Sequence, residues 1–157
     1  MSKVKVVTIG LGYIGLPTSA LIAQNGIQVH GVDVNQHVVE TINKGKIHIV
    51  EPSLDIAVEE SVRKGFLKAD VVAVEAETYL IVVPTPFKGN HEPDISYVES
   101  ATRNILPFLK EDDLYIIEST SPIGTTEKMM NLIYGERPEL KGKLNIAYCP
   151  ERVLPGN

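Results

Sequence analysis

The segment Val4-Lys5-Val6-Val7-Thr8-Ile9-Gly10-Leu11-Gly12-Tyr13-Ile14-Gly15-Leu16-Pro17 constrains the fold more than any other part of the chain. An apolar run rich in β-branched residues passes directly into a Gly-x-Gly-x-x-Gly turn and then into a helical pattern. In a strand–turn–helix unit of this kind each glycine has a separate task. Gly10 makes the tight turn, Gly12 lets a pyrophosphate approach the backbone, and Gly15 lets the helix pack on the strand. Pro17 fits the first helical turn, where N–H groups have no partner within the helix, so the helix is expected to begin near Tyr13.

Glycines also gather in ordinary strand-to-helix turns, so the turn needs a second feature. Asp33 supplies it. It follows the apolar run Val29-His30-Gly31-Val32 and lies about 20 residues beyond the glycines, where a carboxylate at the end of a second strand accepts a hydrogen bond from the adenosine ribose 2′-OH. Helix capping is the other use of such an Asp, and Asn35 could equally provide the cap. A carboxylate facing the ribose repels a 2′-phosphate, and residues 34–38 contain no Arg or Lys to receive one. NAD is therefore expected in preference to NADP.

At 157 residues, with 43% hydrophobic and 22% charged residues, the chain suits one α/β domain spanning 1–157. A net charge of −5 argues against a nucleic-acid partner, which calls for a basic stripe. The single cysteine, Cys149, rules out an internal disulfide and fits a reducing compartment. There is no signal-peptide pattern and no run of about 18 apolar residues, so a cytoplasmic location with no membrane contact is expected. The four histidines, His30, His37, His48 and His91, lack metal-ligand spacing, and no metal is expected.

Strand-like runs fall at residues 4–9, 29–32, 68–72, 79–83, 114–118 and 144–148. Helical patterns fill most of the gaps, at 13–24, 35–43, 53–64, from Asp94 or Ser96 to about 110, and 124–134. This alternation predicts a doubly wound parallel sheet of the Rossmann type with about six strands. In such sheets ligands sit beyond the carboxyl ends of the strands, and the unusual residues gather there. Thr85 lies between Pro84 and Pro86, its hydroxyl and N–H expected to face a ligand. Ser119, Thr120, Ser121, Thr125 and Thr126 place five hydroxyls within eight residues, more than capping explains. Glu151 and Arg152 follow the last strand. Cys149, at a strand end before a proline, reads as a small buried hydrophobe rather than a nucleophile. The chain stops at Leu154-Pro155-Gly156-Asn157 with no helix to cover the last strand, so it is expected to be part of something longer.

Together, Gly10 through Pro17, Val83-Pro84-Thr85-Pro86, Glu118-Ser119-Thr120-Ser121-Pro122-Ile123-Gly124-Thr125-Thr126 and Cys149-Pro150-Glu151-Arg152-Val153-Leu154-Pro155-Gly156 resemble the UDP-glucose/GDP-mannose dehydrogenase family over the whole chain. Ile47-His48-Ile49-Val50-Glu51-Pro52, the segment Pro86 through Asp94 and Cys-Pro-Glu-Arg look like the branch acting on UDP-N-acetyl-D-mannosamine. UDP-glucose dehydrogenases typically carry Pro-Glu-Phe. The resemblance implies a C6 alcohol oxidised to a carboxylate with two NAD per product, through a cysteine-bound intermediate. It implies that Tyr13 and Ile14 present backbone to the pyrophosphate, that Asp33 holds the ribose, and that Thr85, Ser119 and Thr126 line the NAD path. Thr120 and Glu151 are implied in ordering water and proton transfer near C6, and Arg152 and Val153 in touching the substrate.

The family's nucleophilic cysteine, its lysine and asparagine partners, the central helix and the UDP-gripping domain are expected beyond residue 157. Cys149 does not match that cysteine's motif, and a family glutamate falls at Pro155. The isolated chain is therefore expected to bind NAD weakly and turn over nothing, and the longer enzyme to be a homo-oligomer. Two alternatives remain at this stage. One is a sister dehydrogenase acting on UDP-N-acetylglucosamine or UDP-glucose, and the other a free-standing NAD-binding module.

Overall fold

The computed structural model describes residues 4–152 of the chain. Six parallel strands form one sheet in the order β3-β2-β1-β4-β7-β8. They are β1 (Val6–Ile9), β2 (Val29–Val32), β3 (Leu67–Asp70), β4 (Thr78–Ile81), β7 (Leu114–Ile117) and β8 (Asn145–Tyr148). β1 and β2 are buried at every position. Near-continuous apolar runs such as these suit strands covered on both faces. β1 pairs with β2 on one side (Val6 against Val29) and with β4 on the other (Val6 against Thr78). Chain order reverses across β1, and a crevice opens beyond its carboxyl end.

Alternation along the strands divides the core in two. Val7, Ile9, Tyr79, Ile81, Tyr115 and Ile117 face one layer, and Val6, Val29, Leu67, Ala69, Leu80 and Val82 face the other. The first layer is closed by α4 (Ser96–Ile105) and α5 (Thr125–Glu136) through Val98, Ile105, Met129 and Ile133. The second is closed by α1 (Gly15–Gln24), α2 (Gln36–Asn43) and α3 (Leu54–Arg63) through Leu16, Ala20, Ile42 and Val58. The outer strand β8 is mostly exposed.

The expected elements are present, with shifted boundaries. α1 begins at Gly15 rather than Tyr13, because residues 12–14 form the turn that brings the chain back over the strand. Asn35 caps α2, its side chain accepting the His37 N–H at 3.0 Å. Neither Asp94 nor Ser96 is the cap residue of α4, which is Ile95; Asp94 instead accepts the Ser96 N–H at 2.9 Å and pairs with Lys88 at 3.0 Å. These donors hold the Asp94 carboxyl down at about 2. α4 stops at Ile105 and continues as a 3₁₀ turn over Leu106–Phe108, where Pro107 can donate no helical hydrogen bond. A small antiparallel hairpin, β5 (Phe87–Lys88) with β6 (Glu92–Pro93), was not expected from the sequence. Strands of two residues leave no readable period. Among the described residues no helix is long and apolar enough to cross a membrane.

The edge strand β3 is partly closed by a side chain. Asn43, the last residue of α2, accepts the Ala69 N–H at 2.9 Å and donates to the Ala69 carbonyl at 2.8 Å, acting as one rung of an absent strand. Asn43→Ala leaves both backbone groups of the buried Ala69 without these partners, and should lower unfolding stability by about 2 kcal/mol. Urea denaturation checks this; a loss below about 0.5 kcal/mol would show that water replaces the side chain freely.

Candidate functional site

The glycine turn is set by backbone contact. Gly10 has φ +99°, and a Cβ built on it would lie 2.3 Å from the Val82 carbonyl oxygen. A Cβ on Gly15 would lie 1.9 Å from the Gly10 carbonyl oxygen. Gly12 differs, since a Cβ there would meet nothing within 4 Å. Two glycines are thus required by the protein itself, whereas Gly12 borders open space.

That space is a cleft of about 640 Å³ at the carboxyl ends of the strands. Gly10 through Ile14 line it after β1, Asp33 and Val34 after β2, and Val71 after β3. Thr85 follows β4, Glu118, Ser119 and Thr120 follow β7, and Glu151 follows β8. Tyr97, Ser100, Ala101 and Asn104 of α4 complete the wall.

Asp33 is fixed from both sides. One carboxylate oxygen accepts the Leu11 N–H at 3.0 Å and the other the Asn35 N–H at 2.9 Å. The first bond ties the end of β2 to the glycine turn, so carboxylate and turn present themselves to the cleft as one rigid unit. Each oxygen retains accepting capacity for a further donor. The cleft lining contains three carboxylates, Asp33, Glu118 and Glu151, and no Lys or Arg. It therefore suits hydroxyl and amide donors better than an extra phosphate. Beside it, burial pushes the His48 imidazole below the usual histidine range, with Asp33 and the Leu11 backbone pulling the other way.

The hydroxyl-rich segment departs from expectation. The Thr85 hydroxyl donates to the Thr120 carbonyl at 2.5 Å, so it joins two strand ends rather than projecting freely into the cleft. Ser119 is buried and donates to the Ile81 carbonyl at 3.2 Å, Ser121 donates to the Ser119 carbonyl at 2.9 Å, and Thr125 donates to the Pro122 carbonyl at 2.8 Å. Two of the five hydroxyls, Ser121 and Thr125, therefore serve the local turn, because a loop with sharp bends must satisfy its own carbonyls, while Ser119 ties the end of β7 to β4. Thr120 lines the cleft and Thr126 does not.

Beyond β8, Glu151 lines the cleft and its carboxylate accepts the Arg152 backbone N–H at 2.6 Å. Arg152 is exposed and is not among the lining residues, and Val153 lies outside the described residues. Cys149 is exposed rather than buried, because β8 is the sheet edge and has little packed over its end. Among the described residues no group of three His, Cys, Asp or Glu side chains is placed to hold a metal ion.

Two features of the cleft escaped the sequence reading. Tyr97, Ser100, Ala101 and Asn104 follow an i, i+3, i+4, i+7 spacing, which showed a helix face but not that its exposed margin borders a cleft. Glu118 was read only as a strand end. It is half-buried, with the Thr18 hydroxyl of α1 donating to it at 3.3 Å. Burial pushes its carboxyl above the usual glutamate range, and Glu151 adds to the rise.

Residues 4–157 match the NAD binding domain of the UDP-glucose/GDP-mannose dehydrogenase family. The chain is 57% identical to the UDP-N-acetyl-D-mannosamine dehydrogenase of Escherichia coli K12, over 99% of this chain and 39% of that protein. It is 54% identical to the enzyme of the same name from Campylobacter jejuni, over 97% of this chain and 40% of that protein. Among solved structures, the UDP-N-acetyl-mannosamine dehydrogenase of Staphylococcus aureus superposes with a TM-score of 0.90 at 39% identity, over 97% of this chain and 38% of that one. The chain thus spans well under half the length of these relatives.

Proposed function

From the premise that this chain belongs to the UDP-glucose/GDP-mannose dehydrogenase family, as its N-terminal NAD-binding part, we propose that it serves the oxidation of UDP-N-acetyl-D-mannosamine at C6 to the uronate. The observation that carries the cofactor half of this reading is the hydrogen bond from the Leu11 N–H to Asp33, which supports it by tying the carboxylate that would meet the ribose to the turn that would meet the phosphates. The open space beside Gly12 leaves room for a pyrophosphate. The sugar rests on the relatives, whose names specify UDP-N-acetyl-D-mannosamine.

In this reading Gly10, Gly12 and Gly15 shape the turn, and Tyr13 and Ile14 aim backbone N–H groups at the phosphates from a helix start, where the peptide dipoles favour anions. Asp33 accepts from the adenosine ribose. Thr85 braces the β4 end against Thr120, while Ser119 braces β7 against β4; their part in cofactor binding is to fix the cleft wall. Thr126, in the first turn of α5, takes its part in cofactor binding from the family resemblance alone. Bound NAD supplies the hydride acceptor. Thr120 and Glu151, which line the cleft, would order water and hold a proton near the sugar C6, and by the family resemblance Arg152 and Val153 would meet the substrate.

A chimera tests this directly. Residues 1–157 would replace the corresponding segment of the Escherichia coli relative, and NADH formation would be followed by absorbance. NADH production from UDP-N-acetyl-D-mannosamine, with much slower production from UDP-glucose, is expected. A folded chimera that binds NAD but oxidises UDP-glucose preferentially would contradict the proposed sugar.

A further inference from the structure

We infer that Glu118 is the residue that reads the nicotinamide end of the dinucleotide, its carboxyl accepting a hydrogen bond from the carboxamide NH₂. The inference rests on the reading of the cleft as an NAD site and extends it to a residue given no role so far.

The sheet acts as a ruler. Neighbouring strands lie about 5 Å apart, and the phosphate turn stands over β1. Asp33, which meets the adenosine ribose, lies one strand to one side, at the end of β2. Two strands to that side, about 10 Å from β1, the lining is the apolar Val71 after β3, suited to an adenine ring. On the other side Thr85 lies one strand away, at the level of the second ribose. Glu118 lies two strands away, at the end of β7, where the second base falls. What distinguishes that base from adenine is its carboxamide and, in the oxidised form, a positive charge.

Glu118 suits both features. A carboxylate has about four accepting positions. Among the described residues the one side-chain donor to Glu118 is the Thr18 hydroxyl, at a long 3.3 Å. It is half-buried and shares the cleft with Glu151, so an N–H donor and a cationic ring arriving beside Glu118 offset its burial and the repulsion from Glu151. Burial and Glu151 raise the cost of ionising Glu118, which a donor and a positive charge from a ligand would offset.

The test is calorimetric and needs no turnover. The probes are NAD, its 3-acetylpyridine analogue, which keeps the ring charge but has no carboxamide N–H, and ADP-ribose, which has no second base. The wild-type chain should prefer NAD over the acetylpyridine analogue by about tenfold. In Glu118→Ala that preference should fall to about one, with ADP-ribose affinity unchanged. Glu118→Gln, which keeps an accepting carbonyl, should retain part of the preference and provides the reading if the alanine variant folds poorly. A wild-type preference near one, or a full preference in Glu118→Ala, would overturn the inference. Failure of the wild-type chain to bind ADP-ribose would instead overturn the NAD reading beneath it.

Discussion

Gly15→Ala is expected to lower the stability of the chain by about 3 kcal/mol or more, and to lower its Tm by roughly 10 °C. Most small-to-large changes can be absorbed by a side chain that moves aside. Here the new Cβ would meet the Gly10 carbonyl oxygen at 1.9 Å and the Gly10 carbonyl carbon at 3.0 Å, and both are backbone. Gly10 cannot retreat, because it is itself packed against the Val82 carbonyl and its N–H donates to the Val32 carbonyl at 2.8 Å. Relief requires α1 to move away from β1, which breaks the packing of Leu16 and Ala20 and carries the turn away from Asp33. NAD binding should be lost with the stability. Gly12→Ala is the matched control, since its Cβ meets nothing, and should weaken NAD binding while leaving Tm nearly unchanged. Equal Tm for Gly15→Ala and wild type in a thermal melt would contradict the packing argument.

Asp33→Ala should have the second large effect, and on two properties at once. The Leu11 and Asn35 N–H groups lose their acceptor, which costs about 1–2 kcal/mol of stability because water can reach part of the site. The ribose loses a charged acceptor, worth about 1.5–3 kcal/mol, so NAD affinity should fall by about 10- to 100-fold. NADP should respond differently. Two unit charges 4 Å apart in a surface-like medium repel by about 4 kcal/mol, and no Lys or Arg lines the cleft to offset this. Removing Asp33 removes the repulsion together with the ribose contact, so the discrimination between NAD and NADP should collapse. Titrations of the variant with both dinucleotides check this; a preference for NAD as strong as that of wild type would show that discrimination resides elsewhere.

The sequence revealed those parts of the fold that carry long or rigid signals. The buried strands β1 and β2 appear as apolar runs because both faces are covered, and Gly10 and Gly15 are visible because no other residue fits. Asn35, Gly45 and Gly65 punctuate the helices where caps and turns require them. The hairpin of β5 and β6 carries no such signal. Neither does the partner of a hydroxyl: Ser119 and Thr85 have the composition of ligand contacts, and only the approach of neighbouring strands shows that their hydroxyls donate to carbonyls. Glu118 was hidden for a related reason, since its half-burial and its contact with Thr18 join residues 100 positions apart in the chain.

A calorimetric titration of the wild-type chain with NAD and with NADP tests the central claim, that the glycine turn and Asp33 form one dinucleotide site. NAD should bind at a single site, and NADP at least about 100-fold more weakly. Equal binding of the two dinucleotides, or binding of neither, would contradict it.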